Sequence, residues 1–220
     1  MKDIYAFLSD LRRNNNRDWF NANKSRYLTA KTQMDDIAAK LIDRLSELEM
    51  ELSFLTPKDC VYRIYRDARF SANKDPYKQH LGCLIVRGGK KSPYAGYYVH
   101  IEPGNTLIGG GIYMPAAPVL KQIRTKIIAE HERYRAIIEE KAFHDLFPEI
   151  YGERLKKGPK GFDKDHPQIE LIKNKSYFVV YEMEDAKDED AFIDTLMKVF
   201  TIQRPYQDFL NEAVNQLENE

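Results

Sequence analysis

The chain has 220 residues, enough to bury most of its apolar surface, and we expect a single domain spanning residues 1–220. Apolar residues make up 43% of the chain and charged residues 31%, a composition that excludes an intrinsically disordered protein. Thirty-four basic residues balance thirty-four acidic ones. Attraction to a polyanion would have to come from a local patch, which argues against a general nucleic-acid-binding protein.

The cysteines, the histidines and the first residues exclude further classes. Cys60 and Cys83 form no CxxC pair, and the five histidines have no HxH, HxxxH or HExxH spacing, so we predict no disulfide framework, no metal site and no cofactor. The segment MKDIYAFLSDLRR is too polar for a signal peptide, and no window approaches the ~18 apolar residues of a membrane span. We therefore expect a cytoplasmic protein without a membrane segment, and no pattern indicates an oligomeric state.

Apolar residues at helical spacing predict two helices at the start of the chain. The first is short, has Asp3 as its N-cap and ends at the asparagine run at 14–16. The second spans Asn23 to Glu49 and carries one apolar stripe. Trp19 and Phe20 lie between the two helices, where they either plug a core or form a stacking platform at the mouth of a pocket.

Five segments rich in β-branched and aromatic residues are predicted strands. They are Cys60–Arg66, Leu81–Arg87, Gly96–Glu102, Leu107–Tyr113 and Ser176–Met183. Short connections with turn residues join the second, third and fourth, which predicts an antiparallel meander. Three glycines, Gly109 to Gly111, interrupt one strand; they indicate close sheet packing, or else the approach of a substrate to the backbone.

Helical patterns return after the meander. One helix follows Pro115 and Pro118, another runs from His131 to about Leu146, and two close the chain at Asp188–Phe200 and Pro205–Leu217. The order of elements predicts an α+β fold, with an antiparallel, meander-type sheet of about five strands flanked by N-terminal, middle and C-terminal helices.

The stretch from Arg63 to Lys78 is the richest in groups that bind anions. Its five cations are Arg63, Arg66, Arg69, Lys74 and Lys78, and Asp67 and Asp75 reduce their charge to 5 − 2 = +3. Arginine holds phosphate or carboxylate in a bidentate manner, and lysine adds a point charge. On a straight strand the arginines would divide between two faces, so we expect Asp67 to start a turn.

The same pattern fits two interpretations that charge alone does not separate. In one, the cations converge on an anionic ligand. In the other, they form an internal network of ion pairs that fastens a loop to the sheet.

Two further groups of residues are candidates for the site. Tyr98, His100 and Glu102 share one face of the central strand, and His100 is a candidate acid or base, as are Asp67 and Tyr77.

The long loop at 153–167 contains Lys160 and His166, which either contact an anion or belong to a solvated basic turn.

The spacing of this stretch resembles a known family signature. The pattern RxxRDxRFxx[DN]KxxY is matched by Arg63, Arg66, Asp67, Arg69, Phe70, Asn73, Lys74 and Tyr77. It resembles a bacterial domain-of-unknown-function family, with relatives embedded in larger fungal proteins, and the segments NNNRDWF, GGGIY and KKGPKGFDKDHP are similar to that family as well. The resemblance implies that these residues are hallmark positions, and it implies no particular activity.

We therefore expect an anionic, phosphorylated or carboxylated small molecule to bind at a basic cleft. The predicted ligand-binding residues are Arg63, Arg66, Arg69, Lys74, Lys78, Tyr98, Lys160 and His166. Metal-free acid–base catalysis by His100, Asp67 or Tyr77 can accompany binding. The alternatives are single-stranded nucleic-acid binding, with Trp19, Tyr65, Phe70 or Tyr77 stacking on bases, and a structural or partner-binding module.

Overall fold

The structure is a computed structural model that describes residues 1–67, 69 and 71–218. Phe70, a residue of the predicted signature and a predicted stacking residue, lies outside the described residues. The described chain forms an α+β fold in which one sheet has the strand order β1-β2-β3-β4. The strands are β1 (Leu81–Ile85), β2 (Gly96–Ile101), β3 (Thr106–Ile112) and β4 (Tyr177–Met183).

The helices occupy the ends of the chain and the segment between β3 and β4. They are α1 (Lys2–Arg13), α2 (Arg17–Ala22), α3 (Lys24–Ser46), α4 (Pro57–Cys60), α5 (Ala117–Ala129), α6 (His131–Ile138), α7 (Lys141–Leu146) and α8 (Glu189–Glu218). None of the helices in the described part of the chain combines the length and the apolar character needed to cross a bilayer.

The described residues divide into two compact units. The first comprises Met1–Lys90, Tyr98–Ile108 and Glu182–Lys198, and the second comprises Lys91–Tyr97, Gly109–Tyr181 and Val199–Glu220. In the first unit, α1 and α3 bury their apolar stripes, and Phe20 of α2 is buried beside them. In the second unit, α5 packs against the 3₁₀ turn at Ile169–Ile172 and against α6.

Four details of the helical predictions are corrected. The helix predicted from His131 to about Leu146 is two helices, α6 and α7. Asp3 lies inside the first turn of α1, where its carboxylate faces the positive end of the helix dipole, and Met1 is the N-cap. The segment at 17–22, predicted as a connection, is the helix α2, because the Asn16 side chain accepts a hydrogen bond from the Trp19 N–H and caps it. The two predicted closing helices are one helix, α8, which continues through Pro205.

The predicted strand at Cys60–Arg66 is wrong, and within the described residues the sheet has four strands rather than about five. Cys60 ends α4, and beyond it the chain makes only single antiparallel bridges, Val61 with Cys83 and Tyr65 with Tyr77. The segment therefore changes partner within four residues. Pro76 also has no N–H to donate, so pairing does not extend into a regular ladder.

Phe20 packs in the core, as the first of the two interpretations predicted, whereas Trp19 is half-buried in the same aromatic cluster. Phe20 is buried and stacks on Tyr77 with ring centres 3.9 Å apart, and Trp19 stacks on Phe7 at 6.1 Å. These rings fix the end of the Arg63–Lys78 stretch against the helices of the first unit. Asn15 adds to this by accepting a hydrogen bond from the Tyr77 N–H and donating one to the Tyr77 carbonyl.

Candidate functional site

The Arg63–Lys78 stretch folds back on itself, so that its two ends lie side by side. The Arg66 N–H donates to the Pro76 carbonyl at 2.9 Å, and the Lys78 N–H donates to the Ile64 carbonyl at 2.8 Å. As predicted, Asp67 marks the turn: its Oδ1 accepts from the N–H of Arg69, two residues on. Arg63 and Lys78, fifteen positions apart in sequence, are thereby brought to the same end of the turn.

Asp67 and Arg69 form a two-pronged ion pair at the tip. The guanidinium donates from Nε to Oδ1 at 2.9 Å and from Nη2 to Oδ2 at 2.7 Å. The Arg69 hydrogen bonds lower the pKa of Asp67, which is therefore a carboxylate at neutral pH. Its main partner is Arg69, which makes Asp67 a holder of the turn and a weak candidate for a general base.

The next residues of the turn are held by further local bonds. Lys74 Nζ donates to the Arg69 carbonyl at 3.4 Å, and Arg66 Nη2 donates to the Ser71 hydroxyl at 3.3 Å. Asn73 donates to the Asp75 carboxylate at 3.0 Å. The middle of the motif is therefore an internal network, in line with the second interpretation of its charges.

Arg63 and Lys78 differ from the other cations of the stretch. Lys78 is half-buried, with Nζ lying 5.2 Å from the centre of the Tyr62 ring. Burial lowers the pKa of Lys78, and the neighbouring Arg63 charge lowers it further. Among the described residues, neither side chain has a carboxylate within ion-pair distance. Two like charges therefore lie close together, and the Asp67 carboxylate, whose pKa the Arg63 charge also lowers, is not within ion-pair distance of either.

A row of hydrogen bonds follows the polar face of β2, as the alternation of the sequence predicted. The Tyr98 hydroxyl and His100 Nδ1 are 3.1 Å apart, and His100 Nε2 and Glu102 Oε2 are 3.0 Å apart. Arg12 donates to Glu102 Oε1 at 2.9 Å, and Asn105 donates to Glu102 Oε2 at 3.0 Å. Burial opposes ionisation of Glu102, but the hydrogen bonds from His100 and Asn105 outweigh it, and its pKa is lowered.

His80, which no sequence pattern indicated, lies beside this row. Its ring stacks on that of His100 with centres 4.0 Å apart. Burial lowers the pKa of His80 to about 4, and His100 and Lys78 add to the shift. The imidazole is therefore neutral at pH 7. His80 immediately precedes β1, and the pairing of β1 with β2 brings it beside a residue twenty positions away.

His80, His100 and Glu102 have side-chain atoms of the kind that bind metals. One such atom from each residue lies within 4.8 Å of the other two, and in the described part of the chain no other group of three shares this property. The sequence-based prediction of no metal site rested on local spacing. The absence of a metal site remains a prediction, because the spacing of residues along the sequence does not show which residues strand pairing brings together.

The remaining candidates, Tyr77, Lys160 and His166, are not members of this group of three. Tyr77 is buried, and in the described residues its ring contacts Phe20 and Tyr65; burial raises its pKa. Lys160 and His166 belong to the second compact unit. Lys160 is exposed, and His166 Nδ1 accepts a hydrogen bond from the Gln168 N–H at 3.1 Å.

The glycines at 109–111 are explained by the sheet itself. A Cβ on Gly109 would lie 1.9 Å from the Val179 carbonyl oxygen, and one on Gly111 would lie 2.2 Å from that of Tyr177. The backbone of β4 fills the space that a substrate would need. Close sheet packing, the first of the two interpretations, is confirmed.

Comparison with known proteins identifies the family of the chain. The model of one family, described as "Conserved hypothetical protein (DUF2461)", matches residues 3–209. No curated protein and no solved structure matches significantly. The match covers nearly the whole chain, in agreement with the resemblance of its motifs to a domain-of-unknown-function family. The chain therefore belongs to the DUF2461 family of conserved hypothetical proteins.

Proposed function

We propose that this protein binds a phosphorylated or carboxylated small molecule between Arg63 and Lys78, beside the Tyr98–His100–Glu102 row. The observation that carries the proposal is the pair of cations itself. Lys78 is half-buried beside Arg63, and neither has a carboxylate at ion-pair distance in the described residues. A bound anion would supply a negative charge in direct contact with both cations.

The energetics of burial favour an external partner. Removing a charge from water costs several kcal/mol on the order of the usual desolvation penalty, and proteins normally offset that cost with a partner inside the fold. Here the neighbouring group is Arg63, which has the same sign. Phosphate or carboxylate would accept a point contact from the ammonium and a bidentate contact from the guanidinium.

The other cations of the stretch have a supporting part in this proposal. Arg66, Arg69 and Lys74 bond to groups within the turn, and those bonds hold the middle of the turn in place. They contribute positive potential and shape, while Arg63 and Lys78 make the direct contacts. Tyr98 lies on the neighbouring polar face and can orient the ligand by its hydroxyl group.

The protein's chemical setting is proposed to be cytoplasmic. Cys60 and Cys83 are buried free thiols, and burial raises the pKa of Cys60 to about 11. Inert, protonated thiols are common in a reducing compartment, where structural disulfides are rare. Binding, without an assigned reaction, is the function proposed.

The direct test is a titration followed by amide NMR. Inorganic phosphate and, separately, citrate are added in the presence of a metal chelator, and shifts are followed at the amides of residues 63 and 78. We expect saturable shifts for at least one of the two anions. Lys78→Met, which keeps the apolar stem, should raise the dissociation constant roughly tenfold or more, since a charge-assisted hydrogen bond contributes about 1.5–3 kcal/mol.

The matched control is Lys121→Met, which removes an exposed lysine on α5, in the second compact unit. It should leave the dissociation constant unchanged. The variant Lys160→Met tests whether the loop at 153–167 contributes to anion binding. If Lys78→Met and Lys121→Met bind the anions equally well, the proposed site is wrong.

A further inference from the structure

We propose that His80, His100 and Glu102 form a binding site for a divalent transition-metal ion of the zinc type. Nothing in the sequence spacing indicates such a site, because two of its residues meet only through the pairing of β1 with β2. The proposed metal ligands are not the residues proposed to contact the anion, although Tyr98 takes part in both sites, and the metal site is tested without phosphate.

The distances suit a metal of this size. Zinc bonds to imidazole nitrogen and carboxylate oxygen are about 2.0–2.2 Å long, so the ligand atoms of a tetrahedral site lie about 3.3 Å apart. His100 Nε2 and Glu102 Oε2 are 3.0 Å apart, and the His80 ligand atom is within 4.8 Å of both. Metal binding therefore requires His80 to rotate out of its stack on His100, and that rotation would complete three corners of a tetrahedron.

Second-sphere contacts already orient two of the ligands. When a histidine binds metal through one ring nitrogen, the other usually donates a hydrogen bond to an acceptor that fixes the tautomer. The Tyr98 hydroxyl lies 3.1 Å from His100 Nδ1 and provides that acceptor. Arg12 holds Glu102 Oε1, and this contact turns Oε2 towards His100.

The donor set also selects the class of metal. Two imidazoles and one carboxylate favour zinc and neighbouring transition metals over magnesium and calcium, which prefer oxygen donors throughout. His100 is nearly buried, whereas His80 and Glu102 are half-buried, so solvent reaches one side of the group. Three protein ligands with a fourth position left for water are typical of a reactive site rather than a structural one.

A hydrogen-bonded His–Glu pair with a stacked histidine is the competing account of the same three residues. It predicts that the contacts serve stability and that zinc binds only weakly, as it does to exposed surface histidines. The two accounts differ in what happens to metal affinity when His80 is replaced. His80 makes no hydrogen bond in the row itself, but it is required as the third ligand.

The experiment is a calorimetric titration of the full chain with zinc alone, in a buffer free of phosphate and chelators. It is supported by the visible spectrum after addition of cobalt. We expect one equivalent of zinc to bind and cobalt to give the intense absorption of a four- or five-coordinate ion. His80→Asn and Glu102→Gln should each weaken binding more than about 100-fold, and Asn105→Ala, which alters only a second-sphere contact, about tenfold.

The matched control is His144→Gln, which removes an exposed histidine from α7. It should bind zinc as the unaltered protein does, and melting curves without metal confirm that each variant is folded. The proposal is overturned if His80→Asn binds zinc as tightly as the unaltered chain, or if His144→Gln loses as much affinity. It is equally overturned if the unaltered protein gives only the weak spectrum of hydrated cobalt.

Discussion

At the scale of single residues, the cations of the Arg63–Lys78 stretch have different surroundings although the sequence presents them as one group. Arg69 is neutralised by Asp67 within the turn, whereas Lys78 is half-buried beside Arg63. Counting charged residues in the sequence shows that this stretch has an excess of positive charge, but it does not show which cations lie close together in space. The location depends on which residues the turn brings together, and that is set by the pairing of Tyr65 with Tyr77.

His80 illustrates what local sequence cannot provide. Its neighbours in the chain, Gln79 and Leu81, carry no metal-ligand spacing, and its partner His100 is supplied by the adjacent strand. The polar face at positions 98, 100 and 102 could be predicted, because strand alternation is a local property. Contacts between strands depend on register, which no spacing within one segment determines.

A prediction at this scale concerns the glycines of β3. We expect Gly111→Ala to lower the free energy of unfolding by roughly 2 kcal/mol or more, since overpacking costs about 1–3 kcal/mol and a side chain at positive φ adds strain. A Cβ at this position would lie 2.2 Å from the Tyr177 carbonyl oxygen, and the φ of Gly111 is +111°. Urea denaturation measures the change.

Gly161→Ala is the matched control for that prediction. Its φ is +87°, but no heavy atom lies within 4 Å of the position that a Cβ would occupy. The control therefore carries the backbone strain without the clash. Equal losses of stability in the two variants would contradict the explanation from strand packing.

At the scale of elements, helix α8 is where sequence patterns and structure differ most plainly. Pro205 suggested two helices, because proline removes a backbone donor and usually ends or kinks a helix. The helix nevertheless runs from Glu189 to Glu218. Phe200 on one side of the proline, and Tyr206 and Phe209 on the other, are all buried. Packing of the apolar residues on both sides of the proline offsets the lost hydrogen bond, and tertiary packing of this kind is absent from a local pattern.

The second compact unit contains a charged cluster that joins three helices. Lys126 of α5 is buried and pairs with Glu130 and with Glu212 of α8, and Arg133 of α6 donates to both oxygens of Glu212. The Arg133 hydrogen bonds, followed by that of Lys126, lower the pKa of Glu212 to about 2. Because the folded-state pKa lies below the ordinary value of about 4.3, the ionised form stabilises the fold.

The sign of the pH dependence follows from that shift. The contribution of Glu212 should be fully present above about pH 5 and lost as the pH falls towards 2. Glu212→Gln should lower stability at pH 7 by on the order of 1 kcal/mol, a value reduced for solvent screening of a partly exposed pair. The difference from the unaltered protein should narrow as the pH falls through this window.

Urea denaturation at several pH values measures this effect, with Glu132→Gln as the control. Glu132 is an exposed residue of α6 and does not belong to the cluster. A stability difference between Glu212→Gln and the unaltered protein that stays constant from pH 7 to about pH 2 would contradict the assignment.

At the scale of the whole molecule, the sequence predicted the α+β class and the antiparallel meander of β1, β2 and β3, and both are confirmed; it did not predict which strand β4 pairs with. Alternation and short turns determine such a meander locally. The strand predicted at Cys60–Arg66 does not form, although its residue types are typical of a strand, because its bridge partner changes from Cys83 to Tyr77. Membership of the DUF2461 family covers both compact units. It adds no activity, so the functional proposal depends on side-chain geometry.

The most direct measurement is an anomalous difference map from crystals soaked in tungstate, a heavy analogue of phosphate. The account predicts a peak within hydrogen-bonding distance of Lys78 Nζ and the Arg63 guanidinium, and no peak there in crystals of Lys78→Met. Tungstate bound only elsewhere, or a carboxylate of the protein itself seated between Arg63 and Lys78, would contradict it.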